Sequence, residues 1–445
     1  MHNKFNKLSL AVALASTALF TGQAQAGGYQ INEQSVSGQG YGHAGRSSNV
    51  NDATIVFGNP AGMSFLDRAQ ITAGGTYLSV NSDISNASAT RNGAAVEGSS
   101  EGDMVPGTLV PFAFYAHPVN ERLAFGFGVY APFGSNTDYE DGFIGRNLGN
   151  YTELAVVSAQ PTVSYRFNGQ WSVGAGLTYN RVEGELQRQV PTPVFGVRPD
   201  LPGGVGPVGT QELSARVDGD DDGLGYNLGV IFQPVPETTL GLTYRSKVSY
   251  TLTGDYIAKD ASGEVYVNPV TGERQDKSAQ LDLDTPETIN FSVTQQMSDN
   301  LKLMFGASWT RWDRFNEILV TDSQGETVTF EEQDYSNAWA FAVGGEYQLN
   351  QAWVLRAGLS IDNTPTSDQF RSARIPSDDR RIFSLGAGWT PVDNLTVDLA
   401  YSYLTERSTE VDQDRTDANG MITSTYTADY KNEAHGFGAQ LTYRF

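Results

Sequence analysis

From about residue 69 to its end the chain is a succession of segments in which large apolar residues alternate with small or polar ones. That period of two marks strands with unlike faces. Trp171, Val173, Ala175, Leu177 and Tyr179 alternate with Ser172, Gly174, Gly176, Thr178 and Asn180, and the stretches Leu301 to Trp309 and Leu395 to Tyr403 repeat the scheme. Such segments begin near residues 69, 106, 121, 151, 170, 222, 237, 277, 300, 334, 351, 380, 394 and 426. Tight links follow the even-numbered segments, around Val119-Asn120, Asn168-Gly169, Pro234 to Pro236, Ser298-Asp299, Asn350 and Pro391 to Asn394. Long polar links follow the odd ones, as in 85–105, 134–150, 189–221, 255–276, 363–379 and 408–425. A soluble sandwich has no reason to sort its loops this way. A transmembrane barrel does, with short periplasmic turns, longer extracellular loops and an even strand count. The expected fold is all-β, a transmembrane antiparallel β-barrel of about 14 strands over residues 69–445.

The other end of the chain says where such a barrel would go. Lys4 and Lys7 precede an apolar run from Leu8 to Phe20, and Ala24-Gln25-Ala26 then supplies the small residues of a cleavage site. Residues 1–26 therefore read as a signal peptide, and the mature chain starts at Gly27. No other run approaches the ~20 apolar residues of a spanning helix. Cysteine is absent, which excludes a disulfide scaffold and thiol chemistry. The formal net charge of −22 makes nucleic acid a poor partner. These features place the protein in a bacterial outer membrane.

Residues 27–68 lack the alternation and are rich in Gly, Ser and Asn, as in Gly38 through Gly45 and Gly58-Asn59-Pro60-Ala61-Gly62-Met63. So short a segment cannot build its own core. The lumen of a fourteen-stranded barrel needs filling, and an N-terminal stretch is a natural hatch. The chain also ends on Phe445, with Phe437, Ala439, Leu441 and Tyr443 on the same face. That ending resembles the terminal strand by which outer-membrane barrels are handed to their assembly machinery.

Across the mature chain the sequence resembles the FadL family of outer-membrane long-chain fatty acid transporters, which includes aromatic-hydrocarbon channels of the toluene type. The motifs are Gly27-Gly28-Tyr29-Gln30-Ile31-Asn32-Glu33, Asn59-Pro60-Ala61, Thr243-Tyr244-Arg245-Ser246, Leu283-Asp284-Thr285-Pro286-Glu287 and Arg374-Ile375-Pro376-Ser377-Asp378-Asp379-Arg380. The resemblance implies a monomeric barrel with an N-terminal hatch that needs no cofactor. A hydrophobic ligand enters from outside, settles in the lumen and leaves sideways into the membrane, where outer-membrane lipid and lipopolysaccharide surround the barrel. An oily route suits such a ligand, because each buried CH₂ is worth roughly 0.8 kcal/mol. A general porin, a channel for neutral alkanes or arenes, and a structural or adhesive barrel are the alternative functions.

Candidate residues follow from parity and from the resemblance. Gly126 to Tyr130 runs into Ala131-Pro132-Phe133-Gly134, where a Pro without an N–H sits beside a Gly. Pro132, Phe133 and Gly134 are therefore the candidate kink for a lateral opening, unless Pro132 merely ends the strand. If odd positions of Trp171 through Tyr179 face lipid, Val182 and Leu186 form an apolar lumenal strip topped by Arg188. A guanidinium there suits an anionic head group. The family's carboxylate-binding arginine aligns with Arg188. Its lysine aligns with Leu319, a departure for which Arg314, inward by the same parity rule, is the candidate substitute.

Other motifs in the chain point to no chemistry. Residues 204–209 and 40–45 match a dinucleotide fingerprint, but neither follows an apolar strand or opens a helix. Asp218 to Gly223 begins like a calcium loop yet has Gly229 where the twelfth position needs Glu. It reads as a solvated acidic loop, and no metal site is expected. The mature histidines His43, His117 and His435 stand far apart with no catalytic motif around them, so no catalytic residue is assigned.

Overall fold

The computed structural model describes residues 28–201, 205–416 and 421–445. The expected leader, 1–26, lies outside the described residues. Fourteen wall strands follow one another around a closed antiparallel barrel. They are β1 (Gln70–Arg91), β2 (Thr108–Pro118), β3 (Leu123–Asp138), β4 (Tyr151–Arg166), β5 (Trp171–Val197) and β6 (Val205–Val235), then β7, in two pieces (Thr238–Arg245 and Val248–Lys259). Strand β8 is also in two pieces (Asp276–Thr285 and Thr288–Ser298), and β9 (Leu301–Thr310), β10 (Ala338–Asn350), β11 (Trp353–Asp362), β12 (Arg380–Val392), β13 (Leu395–Glu406) and β14 (Ile422–Arg444) complete the wall. Pairing of β1 with β14, from Gln70 opposite Arg444 upward, closes the ring.

The two faces divide as the alternation requires. Trp171, Val173 and Leu177 of β5, Phe383 and Leu385 of β12, and Phe437 and Leu441 of β14 are exposed on the outside. Their neighbours Ser172, Ser384 and Gln440 are buried inside. Apolar side chains exposed around a closed barrel are explained by a lipid surround. Trp171 stacks on Phe232 (centroids 4.2 Å apart) and Trp353 on Trp389 (6.0 Å), both beside short turns, where an aromatic girdle belongs.

Strands β5 and β6 reach well past the bounds expected from the links. The link 189–221 is mostly wall, since β5 and β6 stay paired up to Val197 opposite Val205. Polar strands above the membrane have no lipid face to impose alternation, which is why they read as loops. Asp218–Gly223 accordingly lies within β6, not in a calcium loop. Arg181 approaches Asp220 (3.0 Å) and Asp222 (3.5 Å), and Arg216 approaches Asp218 (3.5 Å). Among the described residues no cluster of metal-ligating side chains forms.

Strand β3 does not end at Pro132 but continues to Asp138. Its ladder with β4 shifts register between Tyr130 and Phe133, a bulge at Ala131-Pro132. On its other edge it pairs with β2 only from Val129 down to Ala124. Above that point Ile31 donates its N–H to the Pro132 carbonyl (2.9 Å), and Gly134 donates to the Tyr29 carbonyl (2.8 Å).

Residues 28–66 lie against inward faces around the circumference. They include α1 (Val36–Gly40), α2 (Ile55–Gly58) and a 3₁₀ turn (Pro60–Phe65). Gln39 donates to Ser402 (3.0 Å) and accepts from Thr76 (2.9 Å), while Ser47 donates to the Gly241 carbonyl (3.0 Å). Inward glycines make room for this backbone. A Cβ on Gly241 would overlap the Ser47 carbonyl, and one on Gly344 the Tyr41 carbonyl. Lower in the lumen Arg356 bridges Glu346 (3.2 Å) and Asp398 (2.6 Å), and Asn51 donates to Glu346 (2.8 Å). Three buried charges satisfied this way tie the segment to the wall.

Candidate functional site

Several wall irregularities meet at one height. Arg245, last residue of the first piece of β7, donates to the Tyr130 hydroxyl (2.6 Å) just below the β3 bulge. It also donates to the Phe57 carbonyl (3.3 Å), with its guanidinium 4.4 Å from the centre of the Phe57 ring. One side chain thus joins β7, α2 and the bulge. Strand β8 breaks at Pro286-Glu287 and β9 ends at Thr310.

Above these breaks lies an apolar pocket. Leu154, Leu186, Leu252, Leu281, Leu283 and Phe315 are among its lining residues, Tyr29 closes one side and Arg374 another. Its empty space is about 760 Å³, open solvent included. Tyr29 is the partition between this pocket and the bulge. Its ring lies 4.7 Å from Trp312, 5.3 Å from Phe315 and 5.9 Å from Phe133. Val182 is fully buried in the same cluster.

Arg188 sits two residues beyond Leu186, far above the membrane band. It is 17 residues from the girdle residue Trp171, roughly 40 Å of height for a tilted strand. The half-buried Arg188 side chain makes no hydrogen bond or ion pair with any described residue. Burial, and then the like charge of Arg415 and of Arg374, press its ionised form down. Arg374 donates to the Gln187 carbonyl (3.3 Å), beside Arg188, and to Glu331 (3.2 Å). Arg415 donates to Thr329 (3.3 Å) on the same ribbon as Glu331, and its Nε is buried without a partner. Three guanidiniums thus share one carboxylate, leaving a net positive corner above an apolar pocket.

The structure sorts the sequence candidates. Val182, Leu186 and Arg188 come together. Arg314 does not join them, because β9 has ended and residues 312–314 turn as a 3₁₀ helix, so strand parity no longer applies. Arg314 instead pairs with Glu287 (2.9 Å). Arg415, which the sequence reading missed, supplies a second cation; it lies on a loop ribbon (Thr409–Thr416) where parity gives no signal. Asn59 caps the 3₁₀ turn by accepting from Ala61 (3.0 Å), and it donates to the Ser47 (2.8 Å) and Val230 (3.0 Å) carbonyls. Pro60 occupies the first turn, where its missing N–H costs nothing. Ala61 accepts from Ser172 (2.8 Å).

A closed barrel with a lipid-facing belt and an apolar lumenal pocket is the architecture of an outer-membrane channel for hydrophobic compounds. The family described as outer membrane protein transport protein (OMPP1/FadL/TodX) matches residues 17–445, and the chain belongs to it. Outer membrane protein P1 of Haemophilus influenzae is 30% identical over 476 residues, covering 99% of this chain and 100% of that one. The long-chain fatty acid transport protein of Escherichia coli K12 is 26% identical over 460 residues, covering 99% of each. The crystal structure of a Pseudomonas aeruginosa FadL homologue superposes with a TM-score of 0.83 at 26% identity, covering 94% of this chain and 99% of that one. The Ralstonia pickettii toluene transporter TbuX shares the fold at 17% identity, with a TM-score of 0.64 over 92% of this chain and 99% of that one.

Proposed function

We propose that the transported compound is a long-chain fatty acid, held with its carboxylate between Arg188 and Arg415 and its alkyl chain along Leu186, Leu252 and Leu283. The observation that carries this reading is the Arg188 guanidinium, without a side-chain partner among the described residues, beside a second cation and two residues beyond Leu186, which lines the apolar pocket. A neutral arene gains nothing from such a corner, whereas a carboxylate forms charge-assisted bonds to both guanidiniums. Arg415 offsets the absence of a lysine at Leu319. The relatives named for long-chain fatty acid transport support the same substrate class.

Residues 27–68 act as the hatch, with Asn59-Pro60-Ala61 pinning its base, and Pro132-Phe133-Gly134 form the lateral exit. The free edge of β3 is covered by Tyr29 and Ile31 through two backbone hydrogen bonds. Withdrawing those residues joins the pocket to the gap between β2 and β3 without exposing the alkyl chain to water. Transport is then diffusion down a gradient without nucleotide. The test is oleate uptake by cells whose endogenous transporter is deleted. Replacing Arg188 by Ala should reduce oleate uptake and spare toluene uptake; equal losses would refute the head-group assignment.

A further inference from the structure

The bulge in β3 is not the only gap in the wall. Strand β6 pairs with the first piece of β7 up to Asn227 opposite Arg245 and resumes with the second piece at Asp220 opposite Thr253. Ser246 still donates to the Tyr226 carbonyl (2.9 Å). Residues 221–225 and 247–252 have no backbone partners across this seam among the described residues. Side chains stand in for the ladder: Thr251 N–H donates to the Asp221 carboxylate (2.7 Å), and the Ser246 hydroxyl accepts from Tyr226 N–H (2.9 Å).

The step at Ser246-Lys247 reverses the parity of β7. Gly241 and Thr243 face inward before it, and Val248, Tyr250 and Leu252 after it. Val248 and Tyr250 lie directly against the Gly223 and Gly225 backbone, so two side chains stop the seam where the backbone ladder is missing. On the outside Leu224 is 78% exposed at the top of the apolar belt. Just above it come Arg181 and Asp222, the first charged row. On the inside Leu252, at the upper end of the unpaired stretch, lines the apolar pocket, as do Val217 and Gly219 in the paired stretch just above it. Backbone without ladder partners persists at membrane depth only where it lines a cavity or is buried in protein.

We infer that the β6–β7 seam is a second lateral port, through which a hydrophobic ligand exchanges between the pocket and the outer-leaflet interface, with Val248 and Tyr250 as its leaf. The inference rests on the pocket proposed above as the ligand site. Moving the leaf costs packing and the Thr251–Asp221 hydrogen bond but breaks no backbone ladder.

The absence of native cysteine permits a clean test. Leu224→Cys and Ser249→Cys place thiols on outward faces across the seam, and Val110→Cys with Ala131→Cys places them in the buried contact between β2 and β3. Each mature double variant is reconstituted in phosphatidylethanolamine–phosphatidylglycerol vesicles. Oleate exchange between protein and bilayer is then timed before cross-linking, after a short cleavable bis-thiol reagent, and after reduction. Locking the β6–β7 seam should slow exchange at least fivefold, with recovery on reduction, and Val248→Ala/Tyr250→Ala should accelerate it severalfold. An unchanged rate under the seam lock, with the β2–β3 lock abolishing exchange, would overturn the second port and leave the proposed exit standing. Full indifference to both locks would overturn both. Exchange stopped by the seam lock alone would uphold the port and refute the β3 exit.

Discussion

Removing the Arg188 guanidinium has a consequence that can be worked from its surroundings. A bidentate, charge-assisted carboxylate contact contributes about 1.5–3 kcal/mol, and each 1.4 kcal/mol is tenfold in affinity. Arg188→Ala should therefore weaken oleate binding roughly 10–150-fold. Methyl oleate keeps the alkyl chain but not the charge, so its affinity should change less than about twofold. Isothermal titration of the detergent-solubilised protein with both ligands measures the difference. A comparable loss for acid and ester would show that Arg188 only shapes the pocket, and the head-group argument would fail.

The same residue makes a stability prediction of opposite sign. A cation whose ionised form is pressed down by burial and like charge weighs against folding wherever it stays charged, and the strain would ease only as pH rises toward the ordinary arginine range. Arginine keeps its proton in proteins. Substitution is therefore the practical test. Arg188→Met should stabilise the ligand-free protein by about 1 kcal/mol, read as a higher urea midpoint, because a buried, poorly compensated charge is replaced by a packed apolar chain. A lower midpoint would mean that Arg188 already has a compensating partner.

Other expectations concern the segment in the lumen. Gly241→Val drives a side chain into the Ser47 carbonyl at a cost of ~1–3 kcal/mol. It should raise ion conductance in planar bilayers at least tenfold, while Gly169→Ala, in a turn with nothing within 4 Å, stays at the wild-type level. Asn59→Ala loses a cap and two carbonyl contacts, roughly 1–3 kcal/mol; trypsin should then cleave at Arg46 or Arg68 faster from the periplasmic side. Arg245→Met removes the guanidinium from both the Phe57 ring and the Tyr130 hydroxyl, so amide exchange at 130, 131, 133 and 134 should quicken about tenfold. Unchanged protection there would separate Arg245 from the bulge.

Much of this was legible in the chain. Period-two alternation and sorted link lengths located all fourteen strands, because lipid on one side and a lumen on the other impose two faces. Pro132 flagged the β3 bulge because a residue without an N–H interrupts a ladder. What lay outside the membrane was less readable: the paired extensions of β5 and β6 carry no alternation. Arg314 misled, since parity extrapolates only as far as the strand continues. Arg415 gave no sign, because a ribbon from a distant loop brings it to Arg188. The glycine seat was visible but unread: Gly174, Gly306, Gly344, Gly358 and Gly386 all occupy the inward half of their strands, as surfaces on which another backbone rests.

The lateral path at the β3 bulge is tested most directly by holding it shut in living cells. Val110 and Ala131 pack together with Ile31 and Leu78 across the unpaired edge, so thiols at those two positions can be bridged in place. In cells with no other fatty acid transporter, the account predicts that bridging cuts labelled oleate uptake at least tenfold and that a reductant restores it. Undiminished uptake through the bridged protein would contradict it.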